Sequence, residues 1–304
     1  MNLISFKKNK LTRVSKEDRI FDIFNILLIV IISLLVIYPL YFIVIASISD
    51  PNLIYSGKVW FFPKEITFEG YERIFRDSKI WIGYKNSIIY TVIGTIVNVA
   101  LTLMAAYALS RKDLYGRNAL MFVLMFTMFF SGGLIPTYLV VKDLGLLNTM
   151  WAMILPKAVA VWNVIVAKSF FENTIPNELL EAAKIEGCSN TKFFMKIVLP
   201  LSKPIVAVMV LFYAVGNWNS YFDALIYLNN ENLYPLQLIL RNILIQNEAA
   251  TQMVRDVGSL AAQQRISELI KYGVIIIASV PLLVVYPFVQ KYFVKGVMIG
   301  GVKG

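Results

Sequence analysis

The sequence predicts an all-α integral membrane protein with six transmembrane helices. Three observations carry that reading. Hydrophobic residues make up 58% of the 304 and charged residues only 16%. Mean hydropathy is +0.66, whereas an ordinary soluble domain is about a quarter charged. The apolar residues are also gathered into long runs, and about 20 in a row cross a bilayer core roughly 30 Å thick.

The first run, Phe24 to Ile48, is longer than a signal-peptide core and lacks a small-residue cleavage site. It reads as a retained helix with Pro39 inside it. The second runs from Ser87 to Leu109. The third, near Leu120 to Val141, is interrupted by "SGGLIP", a break tolerated where backbone lines a cavity or packs on neighbours. The fourth lies near Met150 to Phe170, the fifth near Pro204 to Leu228, and the last near Ile270 to Val289. This divides the chain into a tail (1–23), a membrane domain (24–290) and a second tail (291–304).

Six spans put both termini on one side. That side also receives the 111–117 loop and the charged segment at about 172–203. The 111–117 loop carries three cations and the opposite short loop, 142–149, carries one. Short cation-rich loops stay inside, so this side and both termini are expected in the cytoplasm. The net charge of +10 then follows from orientation and needs no nucleic acid. Residues Met1 to Arg19, with six cations and two acids, fit the anionic inner leaflet.

Histidine is absent and Cys188 is the single cysteine. Histidine–cysteine metal sites and histidine-based triads are excluded, as is an internal disulfide. No paired acids occur within a span, so no catalytic or metal residue is expected, and the chain does not read as an enzyme.

The charged segment contains "EAAKIEGCSNTKFFMKIVLP", Glu181 to Pro200. Pro176 suits a helix start, Glu178 and Glu181 favour the positive end, and Gly187 can stop the helix. Ser189 or Asn190 can cap a second helix that Pro200 and Pro204 end. Ala182 and Ala183 are expected to leave one face bare, either for another protein or simply for solvent.

Glu181-Ala182-Ala183, then Gly187, then Ile197-Val198-Leu199-Pro200 resembles the EAA motif of ABC importer permeases, and within them the carbohydrate-uptake permeases. "AYALSRKDLYGR", "FFSGGLIPTYLVVKDLGLL", "NWNSYFDALIYL" and "KYFVKGVMIGGVKG" are similar to the LplC/YtcP-like branch, in the same order along nearly the whole chain. Glu186 stands where the family usually has Asp, and Cys188 where it usually has Ala. The resemblance implies an importer permease fold with a cytoplasmic EAA coupling helix pair. Glu181, Ala182, Ala183, Glu186 and Gly187 would then meet a cytoplasmic ATPase. It also implies a second homologous permease, two ATPase copies, an external sugar-binding (lipo)protein and an oligosaccharide substrate, in a bacterial plasma membrane. ATP and magnesium would belong to the ATPase, since no Gly-rich phosphate loop with Lys and Ser/Thr occurs here.

A sugar path needs hydrogen-bonding groups and aromatic faces, which are costly in lipid. Span five supplies Trp218, Asn219, Tyr221 and Asp223, and span four supplies Trp162 and Asn163. The competing reading of the aromatics is an interfacial belt. Lys157, near the outer end of span four, either snorkels to the headgroups or faces the cavity and attracts an acidic sugar. Two exported segments stand out. "TFEGYERIFRDS" has Thr67 as a cap and Phe68, Tyr71, Ile74 and Phe75 at helical spacing. Residues 229–272 are long and mixed. The alternative function is an ion-gradient-driven secondary sugar transporter, which would want buried acids near the midplane and inverted repeats. Asp223 lies towards the outer end of its span, and no two halves match. A non-transporting scaffold is the third reading.

Overall fold

A computed structural model of the chain describes residues 16–253 and 257–297, and among these every regular element is helical. The chain divides into two compact units after Phe68.

The first unit is built on α1 (Lys16–Ala46). Its apolar residues, from Ile20 to Val44, are nearly all exposed. A helix that is apolar all round belongs in lipid or in a larger assembly. A short helix, α2 (Pro51–Tyr55), follows, capped by the Asp50 carboxylate, which accepts from the Asn52 amide at 2.8 Å. The chain then folds back on α1. The Tyr38 hydroxyl donates to the Trp60 carbonyl at 3.3 Å and that of Tyr41 to the Phe61 carbonyl.

The second unit starts with α3 (Glu69–Arg76) and α4 (Ser78–Ser110). At 1.5 Å per residue, the 33 residues of α4 span about 50 Å. Next come α5 (Arg117–Phe129), α6 (Leu134–Asp143), α7 (Met150–Ile154) and α8 (Val161–Thr174). The charged segment forms α9 (Asn177–Ile185), α10 (Asn190–Phe193), a wider-wound turn (Phe194–Val198) and α11 (Leu199–Leu201). The chain closes with α12 (Lys203–Trp218), α13 (Phe222–Tyr227), α14 (Leu236–Met253) and α15 (Val257–Val297).

Three helices are long and apolar enough to cross a membrane by themselves, and six spans result when each bent pair counts as one. The bends are 115° between α5 and α6, 54° between α7 and α8, and 85° between the α10–α11 stretch and α12. At the "SGGLIP" break the chain thus turns sharply between α5 and α6.

α4 is the central post, against which α8, α12 and α14 pack. One apolar core joins α4, α8, α9, α10 and α12 through Leu103, Val164, Phe171, Ala183, Phe193 and Met209. A second joins α3, α4, α14 and α15 through Ile74, Ile80, Leu236, Leu240, Ile270 and Val274, with Trp218 from the end of α12.

Several boundaries differ from the sequence reading. α1 begins at Lys16, inside the expected N-terminal tail, and α15 runs to Val297, past the expected end of the membrane domain. Span five stops at Trp218, because the chain breaks at 219–221 before α13. The mixed 229–272 segment contains a packed helix, α14, with Leu236, Leu238, Ile239 and Leu240 buried, and runs on into the first turns of α15. α3 starts two residues after Thr67, and Ile74 packs beside α15. The tail cations up to residue 15 and the 298–304 end lie outside the described residues.

Candidate functional site

Two regions concentrate polar chemistry: the interior where helices break, and a cleft beside α9. The interior is organised by α4. Asn86, Tyr90, Gly94, Asn98 and Thr102 recur every fourth residue, so they line one face of that helix. Asn98 Nδ2 donates to the carbonyls of Lys157 at 3.2 Å and Ala158 at 2.9 Å, and its Oδ1 accepts from Asn217 Nδ2 at 3.0 Å. The Tyr213 hydroxyl shares a 2.6 Å hydrogen bond with Thr102 and accepts from the Ala160 amide at 3.0 Å. These side chains satisfy the backbone groups that the break between α7 and α8 exposes, which would otherwise be costly in lipid. Higher on α4, Asn86 donates to the Asn232 and Tyr234 carbonyls, and the Ser87 hydroxyl accepts from the Leu236 amide.

The same logic explains Trp218. Pro281 lies inside α15 and removes the amide that the Ile277 carbonyl would have accepted from. The Tyr84 hydroxyl donates to that carbonyl at 2.9 Å, and Trp218 Nε1 donates to the neighbouring Ala278 carbonyl at 3.0 Å. Across the bundle, Lys157 Nζ lies 2.5 Å from Asp223 Oδ2, which also accepts from the Ser220 hydroxyl at 2.7 Å. Asp223 is buried, while the Lys157 side chain remains 63% exposed.

The cleft is a cavity of about 1000 Å³ between the 110–119 loop and α8–α9, lined by Tyr107, Arg111, Asp113, Glu172, Leu180 and Lys184 among others. α9 stops shortly before Gly187, whose φ of +70° is a backbone conformation that glycine adopts without strain. Ser189 caps α10 by accepting from the Lys192 amide. Ala183 is buried against the core, whereas Glu181, Ala182, Ile185, Glu186 and Gly187 are open to solvent. Arg111 forks onto Asp113 at 2.6 and 2.7 Å, and this guanidinium holds the Asp113 carboxyl well below the usual carboxylate range. Lys184 adds to the same effect from 3.1 Å. Among the described residues, no group of three or more metal-ligating side chains is placed to hold an ion.

YtcP of Bacillus subtilis (strain 168), a polygalacturonan/rhamnogalacturonan transport system permease protein, is 43% identical over 288 residues, 95% of this chain and all of that one. Protein LplC of the same strain is 43% identical over 291 residues, 95% of this chain and 97% of that one. The chain belongs to the carbohydrate ABC transporter permeases. No family model matches it. A solved structure of a bacterial ABC transporter involved in the import of the acidic polysaccharide alginate contains a chain that superposes with a TM-score of 0.81 at 34% identity, covering 92% of this chain and 98% of that one.

Seen as a permease, the chain spreads its sequence-predicted path residues rather than gathering them. Asn219 caps α12, donating to the Val215 carbonyl at 3.0 Å, and stays exposed. The exposed ring of Tyr221 lies 5.8 Å from the Arg241 guanidinium. Trp162 is exposed and Asn163 is buried, both in the first turn of α8. Trp218 is committed to α15, and Lys157 to Asp223. The α4 residues Thr95, Asn98 and Thr102 and the α12 residue Tyr213 went unmarked. Their sequence signal is the three- and four-residue polar spacing inside an apolar span.

Proposed function

We propose that this permease forms half of the translocation path of a bacterial plasma-membrane importer for oligosaccharides, paired with a second, homologous permease. Its cytoplasmic side carries both termini and the 111–117 loop, with residues 24–290 as the membrane domain. Two copies of a cytoplasmic ATPase supply hydrolysis with ATP and magnesium, and an external sugar-binding lipoprotein delivers the solute. The EAA segment, about 172–203, meets the ATPase through Glu181, Ala182, Glu186 and Gly187. Ala183 fixes the helix to the core from the other side.

One observation carries the coupling reading. Ile185 is 89% exposed at the end of a helix whose opposite face is buried. An apolar side chain presented beside Glu181, Glu186 and an open glycine, outside the apolar spans, fits a partner's pocket. For the solute, Asn219 and Tyr221 offer a hydrogen-bonding amide and a stacking ring at the break after α12. One relative is a polygalacturonan/rhamnogalacturonan transport system permease and the other belongs to a transporter involved in the import of the acidic polysaccharide alginate, which favours uronate-containing oligosaccharides.

The test is the complete transporter in proteoliposomes. Gly187→Asp adds a charge and forces an L side chain into φ +70°. Uptake and substrate-stimulated ATP hydrolysis are expected to collapse together while the subunits stay assembled. Uptake of labelled oligogalacturonate should exceed that of a neutral oligosaccharide of equal length. The reverse preference would remove the uronate reading and leave the permease reading standing.

A further inference from the structure

We propose that the loop between α4 and α5 is a second member of the force-transmitting unit, braced to α9 and α8 by Asp113 and Glu172, so that these parts move as one rigid body. The inference rests on the reading of α9 as the helix that meets the ATPase.

The brace has two sides. Asp113 accepts two hydrogen bonds from Arg111 and one from Lys184 of α9 at 3.1 Å. A forked guanidinium–carboxylate contact fixes orientation as well as distance. The same guanidinium donates to the Tyr107 hydroxyl at 2.9 Å and to Asn190 Oδ1 at 3.1 Å. One cation thereby touches the end of α4, the loop and the start of α10. On the other side, Glu172 of α8 holds Lys168 at 2.8 Å and Arg117, the first residue of α5, at 3.3 Å.

The apolar core already fixes α9 and α10 to α8. It buries Ala183 against Phe171 and Phe193, and Tyr107 stacks on Phe194 with ring centres 4.9 Å apart. Leu114 of the loop reaches that core, and beside it an open cavity of about 1000 Å³ lies between the loop and α8–α9. Charged contacts therefore bridge the cavity beside the apolar contacts of Tyr107 and Leu114. Isolated surface pairs contribute little, but here the Arg111 side chain is only 12% exposed and the charges form a network. Such a network adds stiffness in a defined direction, which is what a moving α9 needs to carry the inner ends of α4 and α5 with it.

The experiment uses the complete transporter in proteoliposomes, in a Cys188→Ala chain. Asp113→Cys and Lys184→Cys are bridged by a short reducible bis-thiosulfonate. The reduced form, which lacks the ion pair, is expected to take up substrate more slowly than the Cys188→Ala parent, and the bridged form to recover the parent's rate, because the two sites do not separate. Separately, Asp113→Asn should lower coupled uptake about fivefold, the loss of one networked ion pair, with basal ATP hydrolysis and assembly retained. Asp113→Glu should restore uptake. A bridged transporter that stays silent until reductant is added would show that loop and helix must part, and would overturn the brace. Wild-type uptake in Asp113→Asn would overturn it too. Normal uptake in Gly187→Asp would instead remove the coupling reading itself.

Discussion

At the residue scale, Lys157 shows how one partner changes a reading. The sequence left it snorkelling or facing an acidic sugar. In the structure its ammonium meets Asp223, a buried carboxylate with Ser220 as its other donor. A buried charge that loses its partner is expensive. Lys157→Met should lower stability by about 1–3 kcal/mol, a figure reduced from that of a fully buried pair because the ammonium is largely exposed. Thermal unfolding in detergent should show the loss, and Lys157→Met with Asp223→Asn should recover most of it. Acidic and neutral sugars should then slow equally, and a loss confined to acidic sugars would return Lys157 to the solute. Asp113 offers a pH test. Its carboxyl is held below its ordinary value of 3.8 by Arg111 and then by Lys184. A depressed folded pKa means the stabilisation is complete above the unfolded value and lost only as pH falls through the lowered one. The stability gap between wild type and Asp113→Asn should therefore stay constant from about pH 8 to about pH 5, and a gap that closes in that range would contradict the pairing.

At the scale of elements, the crossing of α4 and α12 is set by a missing side chain. A Cβ on Gly94 would stand 2.8 Å from Asn217 Nδ2, and Asn217 cannot retreat without releasing Asn98 and Thr95. Gly94→Ala should cost about 1–3 kcal/mol by overpacking. Adding Asn217→Ser should relieve part of that cost, and a double-mutant cycle would read the coupling. A strictly additive cycle would mean that the two helices do not meet there. This crossing also marks the limit of the sequence. The apolar runs of α1, α4 and α15 were legible because a bilayer demands length and little charge. α14 carried a legible signal as well, with Leu236, Ile239, Leu240, Ile243 and Leu244 at helical spacing, but its polar flanks hid it from a test for spans. The break after Trp218 was read through as helix, because its partners lie elsewhere. Asn217 pairs with residues about 120 positions earlier, and Trp218 with the Ala278 carbonyl, next to the one that Pro281 frees. Ala183 shows a subtler limit. Two adjacent alanines point about 100° apart on a helix, so one faced the core while the other stayed open.

At the scale of the whole molecule, the surface describes an incomplete machine. α1 is apolar and exposed over most of its length, and α5, α6 and the break between them expose Phe122, Phe126, Phe129, Phe130, Ile135 and Leu139. Lipid covers part of such a surface, and a second permease of the same class would cover the rest. The polar interior is spent on holding broken helices together. Asn98, Tyr213 and Trp218 each satisfy backbone groups, and the carboxylates of Asp113, Glu172 and Asp223 each face a cation. None of these is left poised as a general base, which needs a group within reach of the proton it removes and free to accept it. The sequence likewise lacks the Gly-rich turn with Lys and Ser/Thr whose amides cradle phosphates. The proposed function accordingly assigns hydrolysis to a separate ATPase subunit. Purified alone in lipid nanodiscs, the chain should hydrolyse no ATP above the lipid blank, and adding the ATPase subunits and the second permease should bring activity that an external binding protein loaded with sugar then raises. Turnover by the isolated chain, scaling with its concentration through two unrelated purifications, would overturn this division of labour.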